Sequence, residues 1–94
     1  MHIKVYGRAN DILDSAVGSD FVALNVQLGK CFGMEDVSAE VWRLLSTPST
    51  LDELCANLSE AYEVDDSTCR LDVANLLGEM IEVGLVETQG SITE

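Results

Sequence analysis

"GKCFGMEDVSAEVWRLL", Gly29–Leu45, contains the change of hydrophobic period that decides the fold. Its first part, Lys30 to Met34, reads as a very short strand carrying Cys31, Phe32 and Met34. The strand runs almost directly into a helix. Val37, Val41, Leu44 and Leu45 follow helical spacing, Trp42 flanks them, and Asp36 or Ser38 can cap the start. Upstream, "ILDSAV" (Ile12–Val17) and "FVALNV" (Phe21–Val26) are separated by a Gly-Ser-Asp turn cluster and read as a hairpin. In the second of these, Val22, Leu24 and Val26 fall on one face, and Phe21, Ala23 and Asn25 on the other. "QLGK" turns the chain again, with Gly29 able to take positive φ. "IKVY" near the start adds an extended piece.

Downstream, the signals are helical. Pro48 closes the first helical region. Thr50 and Glu53 form a T-x-x-E capping box. Behind it Leu51, Leu54, Cys55, Leu58, Ala61 and Tyr62 form an amphipathic stripe. A third helix spans about Ser67–Val83 and begins in "VDDST", with Gly84 where a left-handed cap belongs. Residues 87–94, "TQGSITE" with the preceding Glu87, read as a mobile tail. The expected fold is α+β: a three-stranded antiparallel sheet followed by three helices covering one face, in a single domain over residues 1–94.

Two features exceed what a minimal core needs. On the third helix, Cys69, Val73, Leu76 and Met80 lie on one line, Ala74, Leu77 and Ile81 widen the arc, and Leu71 lies beyond. Asp72 and Val83 stand at the other edge. The arc covers roughly half the circumference, wider than the ~100° stripe of an ordinary surface helix. The third strand, if strands pair in order, is an edge with unpaired backbone groups. Such an edge can accept a further strand from another chain.

Composition excludes several functions. Seventeen Asp and Glu against five Lys and Arg give a formal charge of −12, unsuited to phosphate backbones or anionic membranes. No apolar run approaches the roughly 18 residues that span a bilayer, and the start lacks a secretory h-region. Cys31, Cys55 and Cys69 are three widely spaced thiols without a Cys-x-x-Cys pair, which fits a reducing, cytoplasmic setting and no metal or other cofactor. The only histidine is His2, at an end expected to fray, so no nucleophile–base pair is visible. A DNA-reading third helix would need more cation than Arg70. A carrier-protein attachment serine is not evident either: Asp14-Ser15-Ala16 lies in a strand, and Asp66-Ser67-Thr68 lacks the following leucine.

The ordered set of a hairpin strand ending "LN", a glycine before the third strand, "FGM", "VWRLL", "STLDEL", "AYEVD", "DV..LL..M" and "GLV" resembles the PqqD-like family of peptide-recognition elements in ribosomal peptide (RiPP) biosynthesis. The resemblance spans about residues 12–86. It implies a winged helix-turn-helix-like, non-enzymatic domain. Such a domain binds the leader of a precursor peptide as a strand added to its third strand and packed on its third helix. The stretch Gly29–Leu45 is most similar to stand-alone members of lasso-peptide pathways, whose partner is a separate cysteine-protease-type leader peptidase and whose leaders share a Tyr-x-x-Pro element. A peptide chaperone serving a radical-SAM enzyme is the alternative within the family. By the same resemblance the peptide slot consists of Lys30, Cys31, Phe32, Gly33 and Met34 on one side. Cys69, Asp72, Val73, Leu76 and Met80 line the other. "MED" stands where the family usually has "LN", adding negative charge at the strand's exit. Cys31 stands where a bulky side chain is common, which implies a larger local pocket.

Overall fold

A computed structural model describes residues 2–63 and 65–93. The chain order is β1 (His2–Arg8), β2 (Ile12–Val17), β3 (Asp20–Asn25), β4 (Lys30–Met34), α1 (Asp36–Leu44), β5 (Ser49–Thr50), α2 (Leu51–Ala61), α3 (Asp66–Glu82) and β6 (Val86–Thr93). The fold is α+β, with two antiparallel three-stranded sheets and three helices. One sheet has the order β2-β3-β4 and the other β5-β1-β6.

The first of these sheets is the one expected from the sequence. Gly18 at φ 66 opens the two-residue turn joining β2 to β3, and Val17 pairs with Asp20 across it. The period of two then assigns the faces. Ala23 and Asn25 are buried and Phe21 is half-buried, so this face meets the helices, while Val22 is 41% exposed on the other. In β4, Phe32 and Met34 share the helical face through their pairing with Ala23 and Phe21.

The strand-to-helix transition takes a single residue. Glu35 is extended and Asp36 sits at φ 52, in the left-handed region that aspartate tolerates better than most residues. The first helix is therefore capped from Glu35 rather than from Asp36 or Ser38. Ser38 still contributes, because its hydroxyl accepts from the Glu35 N–H at 3.0 Å and donates to the Glu35 carbonyl at 2.7 Å. Trp42 does not flank the apolar stripe but forms its centre, with no exposed surface. Its indole N–H donates to Asp14 at 2.9 Å, and the Arg8 guanidinium stacks 4.2 Å from its ring while donating to its carbonyl at 2.7 Å. This cluster joins β1, β2 and α1. The capping box of α2 forms as read: Glu53 N–H donates to the Thr50 hydroxyl, and Thr50 N–H to the Glu53 carboxylate. Ala61 and Tyr62 are exposed, so the buried stripe of α2 ends at Leu58. Asp65 caps α3 by accepting from Thr68 N–H and from the Ser67 hydroxyl, which hold its carboxyl below the usual range.

The second sheet corrects the reading of both ends. Residues 87–93 are not a tail: they belong to β6, paired with β1 from Arg8–Val86 to His2–Thr93. His2 accordingly sits in a paired strand, and Glu94 lies outside the described residues. The segment "VETQGSIT" lacks alternating apolar residues, so no periodicity marks it. Its pairing comes from backbone groups offered by β1, and its start is anchored by buried Leu85 and Val86.

The β3–β4 turn and the segment after α3 meet at Asn25. Its side-chain amide donates to the Gly84 carbonyl at 3.0 Å, and its oxygen accepts from Leu28 N–H at 3.0 Å. Gly84 has φ 80, and a Cβ there would come within 2.5 Å of the Asn25 amide nitrogen. Gly84→Ala therefore combines left-handed strain with a clash, and Asn25→Ala leaves buried polar groups unmatched. Each is expected to cost about 1–3 kcal/mol in urea unfolding.

Candidate functional site

Among the described residues β4 pairs only with β3, which leaves its other edge free of them. Which backbone groups point outward follows from the hairpin. Val17–Asp20 closes a two-residue turn and is a hydrogen-bonded pair, and such pairs alternate along an antiparallel ladder. Residues 20, 22 and 24 of β3 thus bond to β2, and residues 21, 23 and 25 bond to β4. Their partners Met34, Phe32 and Lys30 are satisfied within the sheet. Cys31 and Gly33 turn their N–H and C=O groups to the open edge.

Beside this edge runs α3. Cys69, Val73, Leu77 and Met80 are its buried stripe, so the line read from the sequence rotates slightly: Leu77 is core and Leu76 is only half-buried. Leu76 and Val83 border a cavity of about 280 Å³ between α3 and β4. Its other walls include Phe32, Gly33 and Met34, and Met80 lies beneath. Further along the same face of α3, Cys69, Asp72 and Val73 line a smaller cavity of about 50 Å³ with Val37, Leu58 and Tyr62. From Cys69 to Val83 this face extends ~21 Å.

The structure thus brings eight of the ten sequence-derived positions to two cavities on one face of α3. Lys30 and Cys31 line neither. Cys31 shares its sheet face with Leu24, its direct partner, away from α3. Its side chain therefore does not enlarge a pocket on the helical face, and only its backbone contributes to the edge. Val37, Ser38, Leu58, Tyr62, Glu79, Val83 and Leu85 are lining residues that the sequence reading missed. Val37 and Tyr62 carried a signal: each sits at the margin of an apolar stripe, where burial is least assured.

The α3 side of these cavities is acidic, with Asp72 at the smaller one and Glu79 at the larger. Arg70, the only cation of α3, is held by Asp52 and Asp66, which raise its pKa further. Among the described residues no group of three or more His, Cys, Asp or Glu could hold a metal, and no helix is long and apolar enough to cross a membrane. Burial, together with hydrogen bonding to Cys69, pushes the Cys55 thiol up to about 11.

The sequence profile of the family described as Coenzyme PQQ synthesis protein D (PqqD) matches residues 20–86, and the chain belongs to this family. Two solved structures share its fold. One is TbiB1 in complex with the TbiA(beta) leader peptide, with a TM-score of 0.83 at 23% identity over 86% of this chain and 94% of that one. Another is lasso peptide synthetase B1 complexed with the leader peptide, with a TM-score of 0.75 at 23% identity over 87% and 96%. No curated protein matches the sequence significantly.

Two outcomes test the geometry. Leu76→Ala should destabilise the fold by clearly less than Leu77→Ala, which removes a fully buried side chain worth about 2–5 kcal/mol, when both are followed by urea unfolding. An aromatic disulfide reagent should titrate Cys31 rapidly in the native chain, because it is exposed, and reach Cys55 and Cys69 only in denaturant.

Proposed function

We propose that the chain binds the leader of a ribosomally synthesised precursor peptide as an extra strand on β4 and delivers the precursor to a maturation enzyme. The observation that carries this is the free edge of β4, with the backbone of Cys31 and Gly33 turned outward beside an apolar groove walled by α3. Backbone hydrogen bonds supply affinity in such an addition, and side-chain pockets supply selectivity. The slot consists of Cys31, Phe32, Gly33 and Met34, with Lys30 at its entrance, faced by Leu76 and Asp72 over a floor of Cys69, Val73 and Met80.

Family membership supports the reading, as do two fold neighbours whose structures contain a leader peptide. The lasso pathway is favoured over others because one neighbour is a lasso peptide synthetase component. On that reading the recipient is a separate cysteine-protease-type leader peptidase. The family's description favours a second reading, a peptide chaperone for a radical-SAM enzyme. On either, the domain binds without catalysis or cofactor and works in the cytoplasm. We also group its β2-β3-β4 sheet and helices with winged helix-turn-helix domains. Its acidic α3 makes peptide a far better partner than DNA.

Proline substitution separates the two kinds of backbone position on β4. Cys31→Pro removes an outward N–H, so it should keep a native circular dichroism spectrum and weaken a fluorescein-labelled leader at least about tenfold by anisotropy. Phe32→Pro removes a bond inside the sheet and should instead lower the melting temperature. Native-like leader affinity of a folded Cys31→Pro chain rules out edge pairing.

A further inference from the structure

The apolar arc of α3 is wider than the core and the slot use. Cys69, Val73, Leu77 and Met80 enter the core, and Leu76 and Val83 border the groove beside β4. Leu71, Ala74, Gly78 and Ile81 do neither. They recur at intervals of three and four residues, so they form one line along the helix, about 15 Å long and about 140–160° around from Leu76. Leu71 is 63% exposed and Ile81 40%, with Ala74 and Gly78 exposed between them. Single exposed apolar residues are ordinary, but an aligned row of them is not. At the end of the row, Ile81 and the exposed Leu28 are walls of a cavity of about 510 Å³, whose lining also includes Gln27, Val86 and Glu87. It shares no lining residue with the two cavities of the slot. Gly78 has no structural reason within the chain. A glycine inside a helix lowers stability relative to alanine, yet Gly78 is not at positive φ and a Cβ there would meet nothing within 4 Å. With Ala74 one turn earlier, it leaves a notch between two large apolar side chains.

We propose that this side of α3 docks an amphipathic, basic helix of the maturation enzyme, with its apolar stripe seated on Leu71, Ala74, Gly78 and Ile81. The chemistry of the occupant follows from this surface; its assignment to the maturation enzyme rests on the delivery function proposed above. The backbone groups of α3 are bonded within the helix, so an occupant gains side-chain contact only and must satisfy its own backbone, as a helix does. The notch at Ala74 and Gly78 sets a close approach of the two axes, which depends on the side chains at the crossing. Charge fixes the borders of the occupant. Glu82 lies four residues from Gly78, on the same side, and Glu87 lines the cavity at the end of the row. Neither makes an ion pair among the described residues, while Arg70, the only cation of α3, is held by Asp52 and Asp66. Lys or Arg beside the partner's apolar stripe completes these carboxylates. A second copy of the chain does not, because each carries a formal charge of −12 and would set acid against acid. The row faces away from the slot, so leader and recipient can be held at the same time, as delivery requires.

The test is selection from a displayed library of helix-forming peptides of about 20 residues on the native full chain, with the precursor's leader present in excess to fill the slot. Selected helices should carry an apolar stripe, Lys or Arg on one border and few acids. By anisotropy they should bind Gly78→Gln, and the doubly substituted Leu71→Ser, Ile81→Ser chain, at least about tenfold more weakly than the native chain. Both variants should keep native affinity for the labelled leader. Gly78→Gln should melt no lower than the native chain, because glutamine is the better helix former, and the serine pair serves if it does not fold. Selected helices that bind the folded variants as tightly as the native chain overturn the docking surface, and so does a selection with no basic enrichment. Purified leader peptidase should bind the chain with the same loss on each variant by biolayer interferometry. A peptidase that binds the serine pair as it binds the native chain overturns its assignment as the occupant. A native chain that fails to bind leader overturns the delivery reading instead, and the selection repeated without leader still tests the surface.

Discussion

The bond between the Asn25 side chain and the Gly84 carbonyl sets the position of α3 relative to the hairpin, and the slot depends on that position. Asn25 is 6% exposed, at the end of β3 next to the strand that offers the free edge. Gly84 follows Val83, the residue that closes α3. Together they tie the C-terminal end of the helix to the β3–β4 turn, where Asn25 also receives the Leu28 N–H. A buried amide must be matched to avoid a penalty of about 1–3 kcal/mol, so the residue stabilises this arrangement and penalises neighbouring ones. The glycine is required for two reasons at once, its φ of 80 and the closeness of the amide. With α3 held at this end and the buried stripe of Cys69, Val73, Leu77 and Met80 packed below, the gap beside β4 is a fixed feature of the fold.

A second constraint acts on the opposite side of the sheet. Trp42 is fully buried, and its polar edge is matched by Asp14 while Arg8 covers its ring. This joins β2 and α1 to β1, the strand that also pairs with β5 and β6. The β2-β3-β4 sheet is thus held from its β2 side and by its helical face, and β4 remains open. The short strand at Lys30–Met34 needs no second neighbour from its own chain for stability, because Phe32 and Met34 pack on the helices and Glu35 caps α1 immediately after.

Much of this was legible in the residues themselves. The hairpin, the capping box at Thr50 and Glu53, the left-handed cap at Gly84 and the order of three strands and three helices follow from local period and turn chemistry. The sheet of β1, β5 and β6 was not legible, because "VETQGSIT" has no apolar alternation and is a strand only by virtue of its partner. Trp42 looked peripheral because its indole N–H and its backbone carbonyl are satisfied by residues 28 and 34 positions away, which no local pattern contains. Of the residues that line the two cavities beside α3, Phe32, Gly33, Met34, Cys69, Asp72, Val73, Leu76 and Met80 are named through the family's pattern. Cys31 was recoverable only as a position, since the direction of its side chain depends on the pairing of β4 with β3.

By itself the sequence determined the α+β class, the acidic surface unsuited to nucleic acid, the short third strand and the broad apolar arc of α3. These follow from composition and from periods of 2.0 and 3.6, which act over a few residues. Only the tertiary structure decided which face of β3 is buried, which backbone groups of β4 stay unpaired, and that Leu76 borders a groove while Leu77 enters the core. Those outcomes depend on strand register and on where α3 is tied, and both are set by contacts between residues far apart in the chain.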